Sequence, residues 1–264
     1  MNLVEKRMLE VLRELKYEYG VLAVKAEFEA EGSRLDELIM LNEVVFRAEM
    51  DLFIKIGGCE AVRDLDQCKL LGASGIMAPM IETPFAMRKF RNAAKKVYKD
   101  EVRNIEWIIN AETKTCRDYF DDILDEGEGF LNTISIGRVD LSASMGLGRS
   151  DIDGDVVRGV AKDFAMKAKC RGLKVGIGGG VSLDSIPVLF SLKDYLDKFE
   201  TRKIVFSIEQ TEKELENGLV LALEFEMLYL KNKCHFYMDM EQEDGQRLKM
   251  LERRYKESCD ALDN

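Results

Sequence analysis

The chain has 264 residues, 46% of them hydrophobic, and a formal net charge of −10. That content can bury a full core, as one α/β barrel or two small domains, while the acidic balance argues against nonspecific nucleic-acid binding, which rests on Lys and Arg facing phosphate. No apolar run is long enough to span a bilayer and the N-terminus Met1-Asn-Leu-Val-Glu-Lys-Arg7 lacks an apolar signal core, so a cytoplasmic protein with no membrane partner is expected.

Short apolar runs alternate with helical patterns along the chain. Residues 1–19 read as helix. Val21-Leu-Ala-Val-Lys-Ala-Glu27 reads as the first strand, and Ser33 with Asp36 as a capping box opening the next helix. Leu52-Phe-Ile-Lys-Ile56 is the second strand, ended by Gly57-Gly58, and a helix follows over 60–71. Gly75 to Ile81 is the third strand, after which Thr83-Pro84 reads as an N-cap followed by proline at the first helical position. The fourth strand runs from Trp107 to Ala111 and precedes a helix near Cys116 to Asp125. The fifth, Thr133 to Ile136, delivers Asp140 into a loop of small residues, and a helix near Asp155 to Cys170 follows. The sixth, Lys174 to Ile177, opens Gly178-Gly-Gly180. The seventh, Lys203 to Ile208, precedes a helix capped by Thr211 and Glu214. Strands alternating with helices predict a parallel sheet. The expected fold is a single-domain TIM-type (β/α) barrel over 1–264 with a helical extension over 211–264; seven strands are legible, and the barrel either closes with seven, stays incomplete or holds a short eighth strand that the pattern does not show. In that extension Leu219, Leu221, Leu223, Phe225, Met227 and Leu228 can supply one buried face. The polar stretch after Glu241 is either solvated or docked on a neighbouring subunit.

Six cysteines, Cys59, Cys68, Cys116, Cys170, Cys234 and Cys259, form no CxxC pair, so reduced thiols are expected rather than a zinc or redox motif. The one histidine, His235, lies in the C-terminal helical stretch and reads as a surface or interface residue.

In a barrel, chemistry gathers where strands end and loops begin. Those ends carry Lys25 and Glu27, Lys55, Glu82, Asn110 and Glu112, Arg138 and Asp140, the glycines 178–180, and Glu209. Residues two apart on a strand share a face, so Asn110 pairs with Glu112 and Lys25 with Glu27. So much charge in one mouth would cost several kcal/mol per ion if unpartnered, and a hard divalent cation with an anionic ligand would offset it. Glu82 can equally be a helix-start acid, and the glycines can equally be a tight turn.

Four segments carry a resemblance: Lys55-Ile-Gly-Gly58, Ala78-Pro-Met-Ile-Glu-Thr83, Asn110-Ala-Glu-Thr113 and Gly137-Arg-Val-Asp-Leu-Ser-Ala-Ser-Met-Gly146. In this order they resemble the HpcH/HpaI aldolase and citrate lyase beta-subunit family of pyruvate- and phosphoenolpyruvate-type barrels, over about 21–180. The resemblance implies a metal-dependent carbon–carbon lyase. In it Glu112 and Asp140 hold Mg²⁺ or Mn²⁺, Lys55 faces a developing enolate, and Asn110, Gly137, Arg138 and Val139, with Glu82, lie around a small 2-oxo acid. Three departures stand out. Lys55 occupies a position where the family commonly has arginine. Glu27-Phe28 stands where the aldolases have a Glu-His pair, so Glu27 or Lys25 is left as the proton-transfer group. The family's usual first strand is missing before Val21. These departures keep alternatives open: a related barrel acting on a phosphorylated or acyl metabolite, or a silent barrel serving as an assembly subunit. The resemblance also implies a homo-oligomer, for which the C-terminal helices offer a docking element.

Overall fold

The computed structural model describes residues 1–262, with side chains through Tyr255, so Cys259 lies outside the described side chains. Helix α1 (Leu3–Glu18) leads into strand β1 (Val21–Glu27) and helix α2 (Leu35–Arg47). Next come β2 (Asp51–Lys55), α3 (Val62–Leu70), β3 (Gly75–Ala78), α4 (Pro84–Tyr98) and β4 (Glu106–Ala111). Two short helices, α5 (Lys114–Asp118) and α6 (Phe120–Glu126), precede β5 (Thr133–Gly137), α7 (Arg138–Ser144), α8 (Asp155–Cys170) and β6 (Lys174–Gly178). Helix α9 (Ile186–Ser191), β7 (Lys198–Glu200), β8 (Ile204–Ser207) and the long α10 (Glu212–Leu262) complete the order.

The eight strands form one closed barrel. All seven expected strands are present, and the eighth is β7. It escaped detection because it has three residues, Lys-Phe-Glu, two of which turn charge inward instead of extending an apolar run. Strands β1 to β7 are parallel neighbours, but β8 is antiparallel to both β7 and β1. A hairpin over 201–203 makes the reversal. The Thr201 N–H donates to Ile204 O at 2.9 Å, and the facing rings of Phe199 and Phe206 stack with centroids 4.8 Å apart. Reversal sends the end of β8 to the floor of the barrel, so Glu209 is exposed there and does not face the mouth.

The barrel interior is layered. Ala23, Phe53, Met77, Ile108 and Val205 make an apolar layer, for which Gly75 clears space: a Cβ there would lie 2.5 Å from the Phe53 ring. Lys198 closes the floor below, paired with Glu106 and lying 4.9 Å from the Phe53 ring centroid. Outside the barrel, Trp107 meets Phe90 and Tyr98 edge-to-face, at 5.7 and 5.3 Å. Thr83 caps α4 with Pro84 at its start, as expected. Cys68 and Cys116 are buried, Cys170 and Cys234 exposed, and the described cysteines are all unpaired. His235 is exposed.

Three local expectations fail. The segment after β5 is helix α7, which takes Asp140 into its first turn, where a loop was expected. Ser33 does not cap α2. The helix starts at Leu35, and Glu37 accepts from the Arg34 N–H at 3.1 Å. The buried face of α10 is also shifted: Leu215, Leu219, Ala222, Phe225 and Tyr229 are buried, while Leu223 and Met227 are exposed.

Helix α10 begins at the barrel floor and climbs antiparallel to α1. Its Gly218 lies against Tyr19, and its Asn232 hydrogen-bonds Asn2 at 2.7 Å. At the top it is fastened to the start of α2. Glu37, 3% exposed, accepts from Tyr237 Oη at 2.5 Å and pairs with Lys233 at 3.0 Å. Beyond this point nearly every described side chain of α10 from Met238 to Tyr255 is exposed. Among the described residues no helix is long and apolar enough to cross a membrane.

Burial pushes the Glu37 carboxyl up, but hydrogen bonds from Tyr237, Lys233 and Arg34 outweigh it and hold the group below its ordinary value. A depressed carboxyl stabilises the fold above its unfolded pKa, and that contribution is lost as pH falls through the folded pKa. Glu37→Gln is therefore expected to lower unfolding free energy by about 1–3 kcal/mol near neutral pH. The difference from the native chain should shrink as pH drops below about 4. Urea denaturation at the two pH values checks this.

Candidate active site

The upper ends of the parallel strands and the β7–β8 hairpin surround a cavity of about 730 Å³, within the roughly 300–1,000 Å³ usual for small-molecule sites. Alternation along β1 turns Lys25 and Glu27 to the same side as Ala23, toward the interior, and both line the cavity. Lys55 from β2, Asn110 and Glu112 from β4, Gly137 from β5 and Val139 and Asp140 from α7 join them.

Glu112 is the most enclosed acid of the group, at 1% exposure. Its Oε1 accepts from the Met80 N–H at 3.0 Å, and its Oε2 accepts from Asn110 Nδ2 at 2.8 Å. Met80 reaches it by adopting φ 50°, a left-handed conformation that costs a residue with a Cβ about 1 kcal/mol or more. Gly137 makes room on the other side: a Cβ there would lie 2.5 Å from Glu112 Oε2 and 2.9 Å from Glu112 Cβ. Burial raises the Glu112 pKa, against the pull of Lys55, Met80 and Asn110, and the nearby charge of Asp140 raises it further. Asp140 is half-buried. The two carboxylates thus feel one another from adjacent strand ends.

Lys55 lies 2.7 Å from Glu29 Oε2 and 3.9 Å from Glu112 Oε2. Burial alone would lower its pKa, but Glu112, Glu29 and Glu27 more than compensate and hold the ammonium above lysine's usual value. It is a fixed cation, not a base. Deeper in the barrel, Lys25 pairs with Glu200 Oε1 at 3.3 Å, and Ser135 Oγ donates to the same oxygen at 3.1 Å. Asn110 Oδ1 is buried and has no protein donor, an arrangement that in folded proteins calls for a ligand or water.

Two of the expected site residues stand elsewhere. Arg138 is buried and turned away from the cavity: its Nε donates to Gly178 O at 3.1 Å and its guanidinium pairs with Asp153. As the first residue of α7 it points back under the β6 loop, so only its neighbours reach the mouth. Glu82 does not line the cavity. It precedes the Thr83 cap and lies close enough to Cys116 to act on that thiol, which burial, Glu112 and Glu82 push up to about 12. The glycine turn after β6 does lie over the site. Gly179 has φ +80°, and a Cβ on it would meet Val139 N at 2.7 Å.

Sequence reasoning missed Glu29, Ser135, Arg149, Glu200 and Arg202. Glu200 and Arg202 sit on the short strand and hairpin that the apolar pattern did not reveal. Ser135 was hidden inside an apolar run. Glu29 and Arg149 lie in loops with no periodic signal.

The donor set is all oxygen. Among the described residues there is no group of three or more His, Cys, Asp or Glu side chains arranged to hold a metal. Two carboxylates from adjacent strand ends, Glu112 buried and Asp140 half-buried, with the orphan Asn110 Oδ1 beside Glu112, fit a hard divalent cation that keeps water and substrate oxygens as further ligands.

A profile of the HpcH/HpaI aldolase/citrate lyase family matches residues 38–186, more than half of the chain. The chain belongs to the HpcH/HpaI aldolase/citrate lyase family. Membership points to an aldolase- or citrate-lyase-type enzyme. The match takes in Lys55, Glu112 and Asp140 and leaves out Lys25, Glu27, Glu200 and Arg202. No curated protein sequence matches the chain. Among solved structures it is similar to the HpcH/HpaI aldolase from Desulfitobacterium hafniense DCB-2, with a TM-score of 0.61, 15% identity, and coverage of 76% of this chain and 82% of that one. An HpcH/HpaI aldolase/citrate lyase family protein from Burkholderia cenocepacia J2315 gives 0.58, 16%, 72% and 82%. RipC from Yersinia pestis gives 0.51, 11%, 78% and 87%. At these identities the likeness is one of fold.

The contact between Gly137 and Glu112 can be tested alone. Gly137→Ala is expected to destabilise the chain by about 1–3 kcal/mol through overpacking. Glu112→Ala in the same chain should recover part of that loss, because it removes the struck Oε2 and Cδ while leaving Cβ in place. Equilibrium unfolding of the double-mutant cycle measures both, and full additivity would mean that the two positions do not touch.

Proposed function

We propose that this chain is a divalent-metal-dependent carbon–carbon lyase acting on a small 2-oxo acid, or its adduct, through a pyruvate-type enolate. The observation that carries the reading is the pair Glu112 and Asp140 at the cavity wall, with the fixed cation Lys55 at 3.9 Å from Glu112. Glu112 and Asp140 would hold Mg²⁺ or Mn²⁺, which when bound supplies Lewis-acid polarisation of a carbonyl. Lys55 offers positive charge to the oxygen that becomes anionic as the enolate forms. Asn110, through its free Oδ1, and the backbone at Gly137 and Val139 flank the place where a carboxylate would lie. Proton transfer falls to Glu27 or Lys25, since Phe28 stands where the family's aldolases carry histidine.

Charge argues on substrate class. Seven carboxylates and four cations line the cavity. A divalent cation and one 2-oxo acid leave that lining acidic, and a phosphate dianion would add to the repulsion. The reading therefore favours an uncharged carbonyl partner over a phosphorylated metabolite. Cytoplasmic location and a small-molecule substrate accord with it.

The working form is proposed to be a homo-oligomer. Val220, Leu223, Met227, Leu230 and Cys234 recur at three- and four-residue spacing along the outer side of α10, and the leucines at 223 and 230 are 64% and 51% exposed. Such a stripe is the seam by which one helix packs on another, and a second copy of this chain supplies a matching seam. Leu223→Glu with Leu230→Glu is expected to reduce the sedimenting mass to that of one chain. An unaltered mass would place the contact elsewhere.

Calorimetric titration of pyruvate tests the catalytic reading. Binding is expected with Mg²⁺ or Mn²⁺, to be abolished by EDTA, and to weaken at least about tenfold, or about 1.4 kcal/mol, in Asp140→Ala. Metal-independent binding, or an Asp140→Ala variant equal to the native chain, would sink the two-carboxylate site.

A further inference from the structure

Two groups at the end of β1 can exchange a proton with a ligand, and their surroundings separate them. Lys25 is committed deep in the barrel to Glu200, with Ser135 on the same oxygen. Glu27 stands one turn of the pleat nearer the mouth, 7% exposed, on the cavity wall. Among the described residues, the cation that pairs with it is Arg202, whose Nη1 lies 3.3 Å from Glu27 Oε1.

Arg202 is carried by the hairpin that reverses the last strand. Its side chain is 54% exposed and also lines the cavity. Besides Glu27 it reaches Glu31 at 3.7 Å, in the loop after β1, and Glu226 at 3.9 Å, on α10. Three carboxylates from three elements thus converge on one planar guanidinium, whose several N–H groups can serve all of them at once. Lys203, the next residue, is buried under the Tyr229 ring and pairs with Glu31, which anchors the hairpin.

We propose that Glu27 is the proton-transfer group of this site and that Arg202 is its positioning residue, holding the carboxylate toward the cavity mouth in its proton-accepting form. The proposal rests on the 2-oxo acid reading given above. In the step, a Glu27 oxygen takes a proton from the methyl carbon of the bound 2-oxo acid. The C–H electron pair becomes the C2–C3 π bond, and the carbonyl pair moves onto oxygen on the side of Lys55. The protonated Glu27 trades its proton for a deuteron from D₂O and delivers that deuteron to C3 as the carbonyl re-forms, so each such cycle places one deuterium in the methyl group.

The charges facing Glu27 fix the sign of the effect. Burial raises its pKa, Lys25 lowers it, Glu31 raises it, and Lys55 and Arg202 lower it, while Lys203 on β8's approach adds positive charge nearby. Removing Arg202 leaves burial and Glu31 less opposed, so the carboxyl ionises at higher pH and less base is present on the acid side. On that side the amount of base changes about tenfold for every pH step of one, and solvent screening of the half-exposed pair keeps the loss within that bound.

The test uses the full chain with Mg²⁺ and follows deuterium uptake into the methyl group of pyruvate by proton NMR across pH. Arg202→Met is expected to move the acid limb to higher pH and slow exchange about three- to tenfold on that limb, with Arg202→Lys restoring at least half of the loss. Glu27→Gln is expected to lose exchange about a hundredfold or more while pyruvate still binds. A second readout needs neither metal nor turnover. The ¹³C carboxyl resonance of Glu27, assigned by its absence in Glu27→Gln, should titrate at higher pH in Arg202→Met than in the native chain. An unmoved titration and limb in Arg202→Met, or exchange retained in Glu27→Gln, overturns the proposal while the 2-oxo acid reading stands. A native chain that neither binds pyruvate with metal nor exchanges its protons overturns both.

Discussion

The molecule depends on how its sheet is closed. Seven parallel strands leave two unpaired edges, β1 and β7, and an open edge is costly to leave bare and prone to pair with other chains. Strand β8 satisfies both edges while running in the opposite direction to its neighbours. A three-residue hairpin suffices for that reversal, where a parallel eighth strand would need a full crossover. Everything unusual about the chain follows. The hairpin stands at the mouth and brings Arg202 to it. The chain leaves the barrel at the floor, so the last helix must climb the outside. Helix α1 then runs down against it, from Asn2 at the top to Tyr19 at the bottom.

The mouth obeys a second constraint, compensation of buried charge. The buried ionised groups there have opposite partners or a hydrogen-bonding cradle: Lys25 with Glu200, Lys55 with Glu29, Glu112 with Met80 N–H and Asn110. Desolvation would be prohibitive without them. The compensation is incomplete, and the excess of negative charge is what makes the cavity receptive to a cation. Small residues matter here as much as charged ones. Gly137 and Gly179 let Glu112 and the first turn of α7 approach their neighbours closer than any side chain would allow.

Much of this was readable from residue order. Alternation and helix caps located β1, β4, β6, α8 and the start of α4 to within a residue or two, because each has an apolar face with an unambiguous period or a Thr-Pro start. The inward pairing of Asn110 with Glu112 followed from strand parity alone. The failures share a cause: tertiary partners overrode local signals. β7 is recognisable only by what it pairs with. Helix α7 has a sequence of small residues that also suits a loop, and it forms because Arg138 is anchored to Asp153 and Gly178. Ser33 has a good capping side chain, yet Glu37 takes over the start of α2 because Tyr237 and Lys233, some two hundred residues away, hold it there. Leu223 looks like core by composition and is not, since the face of α10 is set by where α1 lies.

The far end of α10 has a consequence for the thermodynamics of the whole chain. From Met238 onward the helix continues for about 25 residues, roughly 37 Å at 1.5 Å per residue, and among the described side chains Leu248, Leu251 and Tyr255 are uncovered. A lone helix of that kind is marginal in water, because few contacts offset its conformational entropy. Its helicity is therefore linked by mass action to whatever packs on it. On the proposed homo-oligomer reading, the barrel is a property of one molecule, whereas the helicity of the outer part of the last helix is a property of concentration.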